Sequence, residues 1–265
     1  MLTLAACNRA RVTTSVPMES PVRVRVAVDS AIEPLMRALA QSWQRMRPSW
    51  SFVIEQGNAA VVNQIVNAGG IDFAAVAVLP DAATSKLWIA DLALDGIAVI
   101  VHASNTVSDI SLEDLLQIYA GYRHEWSSLG DQTLGGTQVV VRETGDDSRL
   151  LFDQQVMAGT PCISSAIVMP TPETAVNYVV LHPDAIAYVA SGFLVHAAQP
   201  LVKAVRLGGI AADAAAFADG SYPLSRDLHL IAPQEPVGAL REFVNWIYSQ
   251  EAREIITSHG YATIS

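Results

Sequence analysis

Val139-Val140-Val141-Arg142-Glu143-Thr144-Gly145-Asp146-Asp147-Ser148-Arg149-Leu150-Leu151-Phe152 is a β-branched strand that runs into a tight polar turn and opens a helix. Such a unit leaves free backbone N–H groups at the helix start, with the positive end of the helix dipole behind them. Both favour bound negative charge. Arg142, at the carboxyl end of the strand, can fork onto two oxygens of an oxyanion. The same turn carries Asp146 and Asp147, so acids stand where an anion would sit. On propensity alone either aspartate is a good helix N-cap, and a capping carboxylate would take the amides an anion needs.

A similar unit opens the chain. Val22 to Val28 alternates with period two and predicts a strand; Asp29 or Ser30 is placed to cap the following helix, where Leu35, Leu39, Trp43 and Met46 recur at helical spacing up to Pro48. A strand over 51–55, the turn Gln56-Gly57-Asn58-Ala59-Ala60, a helix over 61–67 and a strand over 73–78 continue the alternation. This pattern argues for parallel strands joined by crossover helices. Farther on, Gly96 to His102 reads as a buried strand, Ser111-Leu112-Glu113-Asp114 as a capping box and 172–182 as a helix. Strands follow over 185–189 and after the turn at 221. The chain closes on an amphipathic helix with Leu240, Phe243, Val244 and Ile247 on one face.

The 265 residues suffice for two lobes with a cleft between them, and 51% hydrophobic content with 16% charged residues argues for folded structure over most of the length. A net charge of −10 with scattered basic residues lacks the footprint of a nucleic-acid binder. The longest apolar runs, such as Ile97 to Val101, fall far short of the ~20 residues a membrane-spanning helix needs. Of the two cysteines, Cys7 sits in Leu4-Ala5-Ala6-Cys7, which looks like a bacterial lipobox, a chance Ala-Ala-Cys being the bland alternative. A polar, Pro-containing stretch to Pro21 follows as a tether would. A lipid at Cys7 would hold a soluble domain outside a membrane.

Five pieces in order resemble the phosphate-binding protein family among the extracytoplasmic solute-binding proteins of ABC importers. They are Asp95 to Val101 with Asn105, Ile110 to Gly121 followed by Trp126 and Leu129-Gly130, Arg142 to Phe152, Ala185 to Val189, and Tyr222 to Arg226. The resemblance runs from about Val22 to the C-terminus. It implies the two-lobed α/β fold of periplasmic binding proteins, with residues 1–21 as lipobox and tether, 22–98 plus 192–265 as lobe one and 99–191 as lobe two. The lobes would be joined by crossing strands near Ala98 and Ser191. It also implies a ligand between the lobes and an ABC permease as partner, with no cofactor and a monomeric state.

Carried over residue by residue, the resemblance places Ser30 and Ala31 in the first ligand loop and Asn58 and Ala59 in the second. Arg142 and Ser148 match in the third, where Asp146 and Asp147 replace a serine and a glycine. The family's aspartate, which accepts the proton of hydrogen phosphate, falls on Ala77. Like charges about 4 Å apart cost about 4 kcal/mol at an effective dielectric near 20, about three decades in affinity, so a bare dianion would not tolerate both acids. A protonated oxyanion would, if one aspartate accepted its proton. The alternative keeps the fold with a degenerate anion site that takes a neutral or cationic solute, or serves as a surface sensor.

The blander readings are specific too. Arg142 could pair with Glu143 or Asp147 as a structural ion pair, Ser30 could be a plain N-cap, and Trp126 and Tyr188 could be core aromatics. The six histidines show no metal spacing. No nucleophile stands beside a base and there is no Gly-x-Ser-x-Gly elbow, so a binding protein is expected rather than an enzyme.

Overall fold

The computed structural model describes residues 20–80, 87–197 and 200–264, the side chains of 196 and 197 excepted. Cys7 and the lipobox lie outside these residues. The chain opens with β1 (Val22–Asp29), α1 (Glu33–Met46), β2 (Trp50–Gly57), α2 (Ala59–Ala68) and β3 (Phe73–Val76). In β1 the alternation works as the sequence implies, with Val24, Val26 and Val28 buried while Arg23 and Arg25 face solvent. Next come β4 (Trp88–His102), β5 (Asp109–Ile110), α3 (Leu112–Tyr119), β6 (Gln138–Arg142), α4 (Asp147–Phe152), β7 (Ile167–Met169), α5 (Pro172–Leu181) and β8 (Ala185–Ala190). The last elements are α6 (Ser191–Ala197), β9 (Val202–Ala204), β10 (Arg206–Leu207), α7 (Ala214–Ala218), β11 (Ser225–Ala232), α8 (Gly238–Ile247) and α9 (Gln250–Ser258).

The strands line up as β2-β1-β3-β11-β4-β8-β6-β7, with β9 also on β4. Both flanks are parallel, β2-β1-β3 on one side and β8-β6-β7 on the other, because helices cross between those strands. The middle is antiparallel: β11 against β3 and β4, and β4 against β8. β4 serves both halves, pairing with β11 over Trp88 to Gly96 and with β8 over Ile97 to Val101. The fold is therefore mixed α/β. One apolar core holds Trp43, Trp50, Phe73, Leu228 and Phe243. Another holds Val99, Tyr119, Trp126, Phe152 and Tyr188.

The structure departs from the sequence reading at four places. Neither Asp29 nor Ser30 caps α1: the N-cap is Ile32, without a side-chain cap, and Pro34 starts the helix late. β4 begins at Trp88 rather than Gly96, because Asp91 and Asp95, which interrupt the apolar run, find partners on β11. After α8 the chain continues into α9, started by the cap Ser249, and an antiparallel bridge from Leu94 to Ala262. Val205, Leu207, Phe217, Tyr222 and Leu224 pack in the core of Val99 and Tyr188, because β9 pairs with β4 and β10 with β5. The segment 192–265, assigned as a whole to lobe one, thus divides between the two cores.

Candidate functional site

Three loops meet at the carboxyl ends of β1, β2 and β6. β1 delivers the fully buried Asp29, whose Oδ2 accepts the Ala77 N–H at 2.9 Å. Ser30 follows, its N–H donating to Gly57 O at 2.9 Å, and then the buried Ala31. β2 delivers Asn58: Oδ1 accepts the Val61 N–H at 3.0 Å and caps α2, and Nδ2 donates to Glu143 Oε1 at 2.6 Å. The Ala60 N–H donates to Gly145 O at 3.2 Å. Gly145 has φ of +87°, and a Cβ there would lie 2.9 Å from the Ala60 Cβ, so glycine alone lets these two loops touch. Ser30, Ala31, Asn58, Ala59 and the run from Arg142 to Ser148 are thereby brought together. The amides of the second loop, expected to be available, are partly committed through Ala60 and Val61.

Two buried arginines divide the acids. Arg142 pairs with Asp146 at 2.7 Å, where Glu143 or Asp147 had been the candidates, and it also donates to the carbonyls of Met169 and Pro170. Asp146 is the N-cap of α4, its Oδ1 accepting the Arg149 N–H at 3.0 Å. Arg226 on β11 donates to Asp147 Oδ2 at 2.7 Å and to Asp95 Oδ2 at 3.1 Å, and Asp95 also accepts the Ser191 hydroxyl. The sequence reading missed Asp29, Asp95, Ser191 and Arg226 as site residues. A charge at an inward register position of an apolar strand, as at Asp95 and Arg226, was the available signal.

Burial, and next the negative charge of Asp147, hold the Asp29 carboxyl well above the usual carboxylate range. Burial and Asp147 raise Asp146 as well, against the pull of Arg142. Burial opposes the charge of Arg226, but Asp147 and Asp95 outweigh it and raise its pKa. Three buried polar atoms here have no hydrogen-bond partner among the described residues: Asp29 Oδ1, Asp147 Oδ1 and Arg226 Nε. A cavity of about 330 Å³ lies beside Asp147 and Arg226, its walls made by Ala77, Leu79, Leu150 and Leu151 together with Gln154, Asp227 and His229. Among the described residues no three His, Cys, Asp or Glu side chains are grouped to hold a metal ion.

A family model described as the PBP superfamily domain matches residues 15–251. The chain belongs to this superfamily. Its PBP domain is 24% identical over 245 residues to the phosphate-binding protein PstS of Bacillus subtilis (strain 168), spanning 91% of this chain and 80% of that protein. In fold it is similar to a crystal structure from Clostridium perfringens described as a phosphate ABC transporter substrate-binding protein with bound phosphate. That match has a TM-score of 0.83 at 22% identity and covers 92% of this chain and 100% of the other. An ABC-type phosphate transport receptor from Vibrio cholerae matches with a TM-score of 0.73 at 21% identity, covering 91% of this chain and 100% of the other. The shared fold accounts for the position of the three loops, since open α/β sheets bind ligands outside the carboxyl ends of their strands.

Proposed function

We propose that this chain is the solute-binding protein of an ABC importer and that it holds a small phosphate-like oxyanion between its two lobes. The observation that carries the reading is the meeting of three loops from separate strands, Ser30-Ala31, Asn58-Ala59 and Arg142 to Ser148, through the Ser30–Gly57, Ala60–Gly145 and Asn58–Glu143 hydrogen bonds. In this reading Arg142 supplies the positive charge, oriented by Asp146 and the two carbonyls behind it. Ser30 and Ser148 supply hydroxyls. The Asp29 carboxyl, held above the usual carboxylate range by burial and Asp147 and with Oδ1 unpartnered among the described residues, shares a proton with the ligand. This placement changes the role expected of an aspartate: the acid that Ala77 lacks is answered by Asp29, which holds the Ala77 amide. Asp147 keeps its charge partner in Arg226 and so weighs less against an anion.

Delivery outside the cytoplasmic membrane, with Cys7 as the lipid anchor and a permease as partner, belongs to the same proposal. The permease partner is supported by the descriptions of the similar structures, an ABC transporter substrate-binding protein and an ABC-type transport receptor. Isothermal titration of the full chain with inorganic phosphate at pH 5 and pH 8 tests the reading. Binding is expected at both, weaker at pH 8, where the Asp29 carboxyl is closer to losing its proton. Arg142→Gln, with its fold checked by near-ultraviolet circular dichroism, is expected to lower the affinity at least about a hundredfold, the effect of removing one charged hydrogen-bonding partner. An Arg142→Gln protein that binds phosphate as the parent does would refute the assignment.

A further inference from the structure

We infer that the hydrogen bond from Asn58 Nδ2 to Glu143 Oε1 is a latch between the two lobes, and that Glu143 is a positioning residue that slows the escape of the solute without touching it. This rests on the oxyanion reading above and adds what governs release. The two ends of the bond belong to different cores. Asn58 caps α2, whose Val62 and Val66 pack with Ala27, Ala74 and Ile231. Glu143 follows β6, whose Val139 and Val141 pack with Val99 and Tyr188. The bond is short, at 2.6 Å, and has a carboxylate oxygen as acceptor. Beside it the Ala60 N–H donates to Gly145 O at 3.2 Å, so the same two loops are tied twice.

Its place in the sheet gives this bond leverage. Opening pivots on β4, which pairs with β11 in one half and with β8 in the other. Arg226 stands opposite Asp95 of β4, so the ion pair from Arg226 to Asp147 lies beside the pivot and lengthens little as the lobes part. Asn58 follows β2, the outermost strand, four places from β4 and on the order of 20 Å away at the usual strand spacing. At that radius even a small rotation exceeds hydrogen-bond reach, so the bond breaks before the solute leaves. The choice of side chain agrees. Asn58 Oδ1 caps α2, a task an aspartate does equally well, whereas only the amide also donates to Glu143.

The test is the rate at which the full chain releases labelled inorganic phosphate into an excess of unlabelled phosphate, with small-angle X-ray scattering in phosphate-free buffer as a second readout. Glu143→Ala is expected to release phosphate about tenfold faster, the factor that one hydrogen bond to a charged group supplies, and to raise the radius of gyration. Loss of the negative charge alone would act the other way and slow the release of an anion. Asn58→Asp keeps the cap of α2 but sets an acceptor against Glu143, and is expected to release phosphate at least as fast as Glu143→Ala. Asn58→Asp combined with Glu143→Gln reverses donor and acceptor at the parent's total charge, and is expected to return the rate to within about threefold of the parent. Unchanged or slower release from Glu143→Ala, or a combined variant no slower than Asn58→Asp alone, overturns the latch. A parent that holds no phosphate refutes the oxyanion reading, and scattering then judges the latch: it stands only if the radius of gyration rises in each single variant and falls back in the combined one.

Discussion

Asp146 and Asp147 are neighbours in sequence and both are buried, yet they belong to different parts of the molecule. Asp146 completes a local unit: it caps α4 and pairs with Arg142 four residues back. Asp147 reaches a strand 79 positions away, where Arg226 also holds Asp95 from β4. The local pair needs only the turn between β6 and α4. The distant network needs β4, β11 and α4 all in place. Buried ion pairs contribute little net stability but are expensive to break, so the two arrangements differ mainly in how many elements fail when one member is lost.

The largest expected effect tests that difference directly. Arg226→Ala leaves two buried carboxylates, Asp95 and Asp147, facing each other without a cation. It is expected to destabilise the protein by about 3–5 kcal/mol, measured by urea denaturation. An intermediate effect separates the two aspartates. Asp146→Ala removes a helix cap and the partner of Arg142 together, for about 2–3 kcal/mol. Asp147→Ala costs less, about 1.5 kcal/mol, since Arg226 keeps Asp95 and the repulsion that Asp147 exerts on Asp29 and Asp146 is relieved. Equal losses for the two variants in the same denaturation series would break the comparison.

The smallest expected effect lies at Asp29 and has the opposite sign. Its folded-state pKa is raised, so the folded protein binds a proton more tightly than the unfolded chain. The contribution is fully present below the ordinary carboxylate range and is lost as pH rises through the folded value. Asp29→Asn keeps the acceptor for the Ala77 N–H and removes the titration. It is expected to melt like the parent near pH 4 and about 2–4 °C higher at pH 8, the shift that about 1 kcal/mol produces in a domain of this size. A melting difference that does not grow with pH would show that Asp29 is not the buried proton carrier.

The fold was legible where signals are local. Period-two alternation located β1, the capping box located α3 at Ser111, and the stretch from Val139 to Phe152 became β6 and α4 as read. β4 was read too short because Asp91 and Asp95 look like interruptions until His229 and Arg226 stand beside them. Likewise, Ser30 read as a helix cap because serine is good at that task. The three-residue turn that makes Ile32 the cap depends on how α1 packs, not on propensity.

By itself the sequence determined the alternation of strands and helices, the arginine at the end of β6 and the acids beside it, because each depends on residues within a turn or two of one another. It left the partner of Arg142 open between Glu143 and Asp147, and the structure gave that place to Asp146, the cap of α4. Only the tertiary structure decided that Asp147 is held from β11, that Asp29 is buried beside it, and that a cavity opens over Ala77. Those outcomes depend on which distant strands become neighbours. The chain records that choice only as charges set among apolar residues, each with a desolvation cost that no local partner could offset.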